Sequence, residues 1–181
     1  MTNVLAPLEE PFSDEVNAAL ARYPRQNGYL LTLFRTFANS VRFLEKCVPN
    51  LLDKESPLDL RTREIIILRV TANRNCDYEW GVHVAIFSNA AGLRDDHIAA
   101  TKVSNADCWS AKEQRLISAI DQLCEQGTVD NAALSIFQKD WTKEQQLEII
   151  ALCGTYSTIS MVANVARLPL ENFAVAFPAK H

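Results

Sequence analysis

The stretch Asn75–Leu93, NCDYEWGVHVAIFSNAAGL, decides the fold and holds the most chemically distinctive residues of the chain. Within it, Cys76, Glu79 and His83 are spaced i, i+3 and i+7. At about 100° per residue, these three positions fall on one stripe of an α-helix. A thiol, a carboxylate and an imidazole on one face offer more chemistry than a hydrophobic core requires. This helix is therefore the candidate functional site.

The segment before this helix predicts a second helix that packs against it. Ser56 is a good N-cap and Pro57 suits the first helical position, so we expect a helix from Pro57 to Ala72. Glu64 interrupts the apolar run of that helix, LRTREIIILRV. The connection is short, which favours a helical hairpin. In such a hairpin, Glu64 reaches the same site.

Helical signals recur along the chain and predict an all-α protein. Only 5 glycines occur and β-type alternation is almost absent. Residues 27–47 carry apolar side chains at helical spacing and predict one long helix. Ser110 to Glu113 and Thr142 to Gln145 are capping boxes that open two further helices. The second of these is expected over 143–166.

Length and composition indicate one globular domain. The chain has 181 residues, is 48% hydrophobic and 22% charged, and carries a net charge of -4. This charge gives no general attraction for nucleic acid or acidic membranes, and no apolar run approaches the roughly 18 residues of a membrane span. The N-terminus lacks the pattern of a secretory signal. We expect an N-terminal arm over 1–12, one domain over 13–181, and a cytoplasmic protein.

The cysteines and the remaining histidines do not predict a metal site. The 5 cysteines form no C-x-x-C pair and match no zinc spacing, so they are expected to be reduced thiols. Cys76 shares its helical stripe with the polar residues Glu79 and His83. The other four cysteines are expected to be small buried side chains. His97, beside two aspartates, is expected at the surface. No metal is predicted.

The stripe is suited to acid–base chemistry. The start of a helix lowers the pKa of a thiol, whereas the nearby Glu79 opposes a thiolate at Cys76. Glu79 and His83 are four residues apart and can hydrogen-bond, which fixes the tautomer and raises the basicity of the imidazole. Simpler interpretations stay open: a surface Glu79–His83 pair, a buried structural Cys76, and an exposed Glu64.

The sequence RTREIIILRVTANRNCDYEWGVHVAIFSNAAGL resembles the carboxymuconolactone decarboxylase family, within the AhpD-like superfamily of alkylhydroperoxidase proteins. The shared features are a Glu in an apolar helix, a Cys twelve residues later, Tyr-Glu-Trp, a His and a closing Gly-Leu. The resemblance implies an all-α fold built on helical hairpins. It also implies a homo-oligomer, a trimer or a hexamer, that acts on a small molecule.

Two activities follow from this resemblance. In the peroxidase branch, a C-x-x-C pair with a Glu and a His reduces peroxides through a disulfide. Cys76 matches the first cysteine, but Glu79 stands where the second, peroxidatic cysteine is expected. The Tyr-Glu-Trp-x-x-His form is similar to the decarboxylase branch, whose substrate is a small carboxylated lactone. There His83 would donate a proton, while Glu64 and Glu79 set its charge state.

Four further residues are candidates for binding substrate. Arg69 and Arg74 are suited to holding a carboxylate, and Tyr78 and Trp80 flank Glu79 in the motif. Glu64, Cys76, Glu79 and His83 are the candidate catalytic residues. The leading hypothesis is a cofactor-independent lyase that acts on a small carboxylated lactone or organic acid. The alternatives are a thiol-dependent peroxidase using Cys76 and a non-catalytic helical oligomer.

Overall fold

The computed structural model describes residues 5–103 and 105–178, and within that part every regular element is an α-helix. This confirms the predicted all-α class. The helices are α1 (Asp14–Leu20), α2 (Thr32–Phe37), α3 (Val41–Lys46), α4 (Leu60–Asn73), α5 (Asp77–Phe87), α6 (Asp95–Ala100), α7 (Ala111–Gln126), α8 (Asn131–Asp140) and α9 (Lys143–Ala166).

Helix α4 is the centre of the fold because three other helices pack on it. It contacts α5, α7 and α9, and its residues 65–68 are essentially inaccessible to solvent. The apolar run seen in the sequence is therefore buried on several sides rather than along one stripe. A two-pronged ion pair joins α4 to α7, with Arg69 Nε 2.6 Å from Asp121 Oδ1 and Nη2 2.7 Å from Oδ2.

Local capping signals place most helix starts correctly. The predicted capping boxes open α7 at Ser110 and α9 at Thr142. The predicted start of α4 was wrong by three residues. Asp59 is its N-cap, with Oδ1 accepting from the Thr62 N–H at 2.8 Å, whereas the Ser56 hydroxyl donates to a glutamate of α9. Because Asp59, three residues after Ser56, caps the helix instead, the segment before α4 stays non-helical up to that residue.

The single helix predicted over 27–47 is instead two short helices, α2 and α3. Helix α2 ends at Phe37, with Ala38 as its C-cap. Ser40 is the N-cap of α3, and its Oγ accepts a hydrogen bond from the Phe43 N–H at 3.2 Å. The Asn39 side chain donates to the carbonyls of Thr36 and Ala6. Asparagine and serine compete with helical hydrogen bonds in this way, which apolar periodicity does not reveal.

The N-terminal segment lies along α2. The Leu8 N–H donates to the Arg35 carbonyl at 3.1 Å, and Arg35 pairs with Glu9 at 2.8 Å. Residues 5–12 form no helix, in line with the expected arm, while 1–4 lie outside the described residues. The division into an arm over 1–12 and a domain over 13–181 stays a prediction, and residues 104 and 179–181 of that domain also lie outside.

Helix α9 is long and apolar enough, by length and composition, to cross a membrane. The expectation that no apolar run approaches the length of a membrane span did not predict such a helix. Buried core helices pass the same test, and α9 packs against α4, α5 and α7 with Ile149 and Leu152 fully buried. The packing of α9 in the core thus accounts for its apolar composition.

The C-terminal tail crosses α5 at Gly81. The Val175 N–H donates to the Gly81 carbonyl at 3.2 Å, and the Phe177 N–H donates to Asp77 at 2.7 Å. The Phe177 ring packs edge-on against Trp80, with centroids 5.1 Å apart. A Cβ at position 81 would lie 2.1 Å from the Val175 carbonyl oxygen. Only glycine lets the two backbones approach this closely.

We expect Gly81→Ala to lower the free energy of unfolding by about 1–3 kcal/mol, because the added methyl must displace the tail backbone. Gly154→Ala is the matched control, since among the described residues no atom outside its own stretch of helix lies within 4 Å of the Cβ it would add. That change should stabilise by about 0.5–1 kcal/mol through helix propensity. Urea denaturation of both variants checks this. Equal midpoints for wild type and Gly81→Ala would contradict the proposed contact.

Candidate active site

A tight turn folds α4 and α5 into the predicted hairpin. Asn75 takes a left-handed conformation with φ of 49°, which asparagine tolerates better than most residues. The following Cys76 N–H donates to the Thr71 carbonyl at 2.9 Å. The turn brings one face of each helix together. As a result, Glu64 of α4 lies directly opposite His83 of α5.

Glu64, His83 and Glu79 form a buried carboxylate–imidazole–carboxylate triad. His83 Nδ1 lies 2.9 Å from Glu64 Oε2, and His83 Nε2 lies 3.5 Å from Glu79 Oε1. All three side chains are at most 7% exposed. The two simpler interpretations of an exposed Glu64 and a surface Glu79–His83 pair are therefore wrong. Each imidazole nitrogen faces its own carboxylate.

The triad stabilises a protonated imidazole. Burial by itself would lower the pKa of His83, but the charges and hydrogen bonds of Glu64 and Glu79 outweigh it and raise that pKa to about 10. The shorter contact engages the Nδ1 proton with Glu64. The Nε2 proton has the longer contact with Glu79 and is the one available for transfer.

Two aromatic rings hold the imidazole in place. The Phe87 ring lies 5.1 Å from that of His83, and the Tyr156 ring meets it edge-on at 5.2 Å. Burial, followed by the charges of Glu79 and Glu64, raises the pKa of Tyr156 well above its usual value. Tyr156 is therefore a neutral phenol and a potential hydrogen-bond donor.

A cavity of about 600 Å³ opens beside the triad. Glu79, His83 and Tyr156 contribute to its wall, and most of the remaining wall is apolar. The apolar lining residues are Pro24, Leu31, Leu33, Phe34, Val48, Pro49, Leu51, Leu52, Val82, Ile86, Phe87 and Ile159. Two exposed arginines, Arg22 and Arg25, also line it. Such a volume is within the usual range for a small-molecule site.

One carboxylate oxygen in this wall lacks a partner. Glu79 Oε2 is buried and accepts no hydrogen bond from any described residue, whereas Oε1 faces His83. An unsatisfied buried carboxylate oxygen is costly to maintain. Glu79 also lines the cavity. Its free oxygen is therefore a ready acceptor for a hydroxyl or acidic proton of a bound molecule.

Residues 40–122 match the model of the carboxymuconolactone decarboxylase family, and this segment includes the entire triad. This segment, which is less than half of the chain, is similar to that family. The resemblance noted from the sequence is thereby confirmed.

The fold is also similar to solved structures. One is a protein of unknown function from Agrobacterium tumefaciens, proposed to be the antioxidant defence protein AhpD. The similarity has a TM-score of 0.57 and 20% identity, and covers 64% of this chain and 80% of that chain. No curated protein shows significant sequence similarity to the chain. These comparisons support the AhpD-like helical fold without separating a decarboxylase from a peroxidase.

Cys76, which belongs to the matched segment, lies outside the cavity wall. Its side chain is 0% exposed and does not line the wall. Burial, with the charge of Glu79, raises the pKa of the thiol to about 11, although the Glu79 N–H and Ser160 act in the opposite direction. The start of the helix was expected to lower the pKa of this thiol, but burial and the charge of Glu79 outweigh that effect. Cys76 is thus a protonated thiol inside the core.

Tyr78 and Trp80 of the family motif also lie in the core rather than in the cavity wall. The Tyr78 hydroxyl accepts from the Leu33 N–H and donates to Glu171, which ties α5 to α2 and the C-terminal segment. Trp80 Nε1 donates to Thr101 Oγ1 at 2.9 Å. The structure does not bring these two predicted substrate-binding residues to the cavity, because their polar atoms form hydrogen bonds within the core.

The structure does not bring Arg69 and Arg74 into the cavity wall either. Arg69 is held by Asp121 and by two backbone carbonyls near α6. Arg74 donates to Ser157 Oγ at 3.1 Å and to the Cys124 carbonyl at 3.0 Å. Both arginines point to α7 and its neighbours, away from His83. Arg22 and Arg25 line the cavity instead.

His97 was predicted at the surface, and this was wrong. Its side chain is 4% exposed and packs on Trp109 with ring centroids 5.0 Å apart. Nδ1 accepts from the Arg94 N–H at the start of α6. Ligand-type atoms of Asp96, His97 and Cys108 lie within 4.8 Å of one another. Since the cap occupies Nδ1, only Nε2 of this histidine is left for other partners.

Sequence reasoning missed Tyr156, Arg22 and Arg25. They lie about 70 residues after or 60 before His83, so no helical spacing relates them to it. Tyr156 gave only a weak signal. It lies in the middle of the helix predicted over 143–166, among small polar residues in the stretch GTYSTIS, and a buried tyrosine hydroxyl usually has a hydrogen-bond partner.

We expect His83 to stay protonated to about pH 10, and Glu64→Gln to lower its pKa by about 1–3 units because the closest charge is removed. A folded-state pKa above the unfolded value of about 6.5 stabilises the protein fully below pH 6.5. This contribution is lost as the pH rises through about 10. The stability advantage of wild type over Glu64→Gln should therefore shrink between pH 7 and 10.

Imidazole NMR titration and denaturation at several pH values measure both effects. A His83 resonance that titrates near pH 6.5 in the wild type would contradict the triad.

Proposed function

We propose that the protein is a cofactor-independent enzyme of the lyase type that acts on a small carboxylated lactone or related organic acid. One observation carries this proposal: His83, held by two carboxylates, lines a largely apolar cavity beside the unpaired oxygen of Glu79. The family segment supports the class of reaction. The arrangement is suited to moving a proton at carbon, with no thiol needed.

The substrate carboxylate has a natural position near Arg22 and Arg25. Loss of carbon dioxide leaves an electron pair on the substrate, which is delocalised into a neighbouring carbonyl as an enolate. The imidazolium of His83 then gives its Nε2 proton to carbon, while Glu64 holds Nδ1. The Tyr156 ring packs on the same imidazole and the residue lines the cavity, so we propose that its hydroxyl donates to the developing oxyanion.

The thiol-peroxidase alternative depends on Cys76, and the observed environment does not favour it. Nucleophilic attack on a peroxide requires a thiolate that the peroxide can reach. Cys76 is fully buried with its pKa raised. Glu79, in the place of a second cysteine, adds a negative charge that opposes the thiolate. The non-catalytic alternative requires that no substrate turn over and that the triad act in stability alone.

Carbon dioxide release from carboxylated lactones tests the lyase proposal. We expect His83→Gln to lower kcat about 10²- to 10⁴-fold, the usual effect of losing a general acid. Cys76→Ala should retain turnover and should show no deficit in peroxide consumption. His97→Gln is the matched control because His97 is equally buried and lies outside the cavity wall.

Each alternative has its own signature in this assay. Turnover of hydrogen peroxide that disappears in Cys76→Ala would establish the peroxidase instead. Loss of stability in His83→Gln with no lactone turnover in the wild type would support the non-catalytic interpretation. A folded His83→Gln that keeps full lactone turnover would falsify the assigned proton donor.

We also propose that the chain forms a homo-oligomer, a trimer or a hexamer as the resemblance implies, and that the protein is cytoplasmic. One exposed side of α9 supports self-association. Leu147, Met161 and Val165 are 70%, 53% and 68% exposed there. Gly154 lies between them with open space above it. Large apolar side chains exposed together are typical of a protein interface.

We expect Val165→Glu to lower the molar mass measured by light scattering to that of a smaller assembly, because a buried charge opposes the contact. Ala132→Glu, on an exposed part of α8, is the control with the same added charge and should leave the mass unchanged. A wild-type protein that stays monomeric at high concentration would contradict the oligomer.

A further inference from the structure

Two cysteines far apart in sequence lie where α7 packs against α9, outside the cavity wall. Cys124 lies near the end of α7 and Cys153 lies in the first half of α9. Arg74 links the two places, because it donates to the Cys124 carbonyl and to Ser157 Oγ, one helical turn after Cys153. Both cysteines are free thiols in this structure. No feature of the proposed lyase uses either residue.

The surroundings of this pair differentiate its two members. Cys124 is partly exposed, whereas Cys153 is 6% exposed. Arg74, held by Ser157 Oγ and by the Cys124 carbonyl, places a positive charge next to the Cys124 side chain. A partly exposed thiol beside a guanidinium is the environment of a reactive cysteine.

The charges around Cys124 support a thiolate there. The interaction with Cys153 is the largest effect and lowers the pKa of Cys124, and Asn73 and Arg74 act in the same direction. Burial and the charge of Asp121 oppose them, and the resulting pKa is about 7. The pKa of Cys153 is raised well above its usual value by the same contact and by burial. One member of the pair is thus the nucleophile and the other holds the proton.

We propose that Cys124 and Cys153 are a redox modification site that closes to a disulfide between α7 and α9 when a hydroperoxide oxidises Cys124. The Cys124 thiolate attacks one peroxide oxygen, the O–O bond breaks, and water or an alcohol leaves. Cys124 is then a sulfenic acid. The Cys153 sulfur attacks it, the S–S bond forms, the S–O bond breaks, and water leaves with the thiol proton.

The two thiols supply the two electrons that the hydroperoxide accepts. An external dithiol returns them and reopens the bond. The disulfide would tie α7 directly to α9, two helices that both pack on α4. Oxidation is therefore expected to raise the thermal midpoint of the protein reversibly, since the cross-link restricts the unfolded chain.

The experiment treats the wild-type protein with one equivalent of hydrogen peroxide, blocks remaining thiols with N-ethylmaleimide, and maps peptides by mass spectrometry without reduction. We expect a linked Cys124–Cys153 peptide as the main product, and its loss after dithiothreitol. Cys47 is the control within the same chain because it is more exposed than Cys124. Oxidation governed by exposure alone would modify Cys47 first and would overturn the proposal.

Two variants separate the roles of the pair. Cys153→Ser should stop the reaction at the sulfenic acid, seen as a dimedone adduct on Cys124. Arg74→Gln should slow oxidation at pH 7 several-fold and move the rate profile to higher pH, with circular dichroism verifying the fold. The main test, peptide mapping, uses the wild-type protein, so it does not depend on whether a variant folds. Disulfides that join other cysteines, or no disulfide, would refute the pair.

Discussion

A carboxylate on α4 and an imidazole on α5 share one buried ion pair, and the geometry of the α4–α5 hairpin depends on it. Burying a charge costs several kcal/mol unless a partner meets it closely. Glu64 and His83 meet at 2.9 Å with almost no exposure. Any slip between the two helices would leave a charge unpaired in the core. The pair therefore fixes the register of the hairpin as well as the protonation of the histidine.

Local chemistry made most of the helices predictable. Ser110 and Thr142 start helices as expected because their capping boxes involve residues three positions apart. Glu64 and His83 could be paired from the sequence because a short turn leaves a hairpin few alternatives. The long helix expected over 27–47 failed because Asn39 and Ser40 offered the backbone local partners. Apolar spacing carries no information about that competition.

The cavity was much less predictable because its wall comes from segments that are distant along the chain. Arg69 is nearer to His83 in sequence than Arg22 is, but Asp121 holds it in the α4–α7 contact. An arginine binds whichever carboxylate the fold brings close, and sequence alone does not say which one that is. His97 was misjudged for a related reason. Adjacent aspartates suggested solvent, whereas Trp109 covers the ring.

The placement of charge also determines which chemistry each part of α4 supports. At its first half, Glu64 and Glu79 surround His83, and negative potential stabilises a proton while it opposes a thiolate at Cys76. Burial, together with the charge of Glu79, raises the pKa of the Cys76 thiol three residues before it. Just beyond the other end of α4, the cation of Arg74 has the opposite effect on Cys124. The acid–base site that we propose at His83 and the thiol pair that we propose at Cys124 and Cys153 therefore lie in regions of opposite potential.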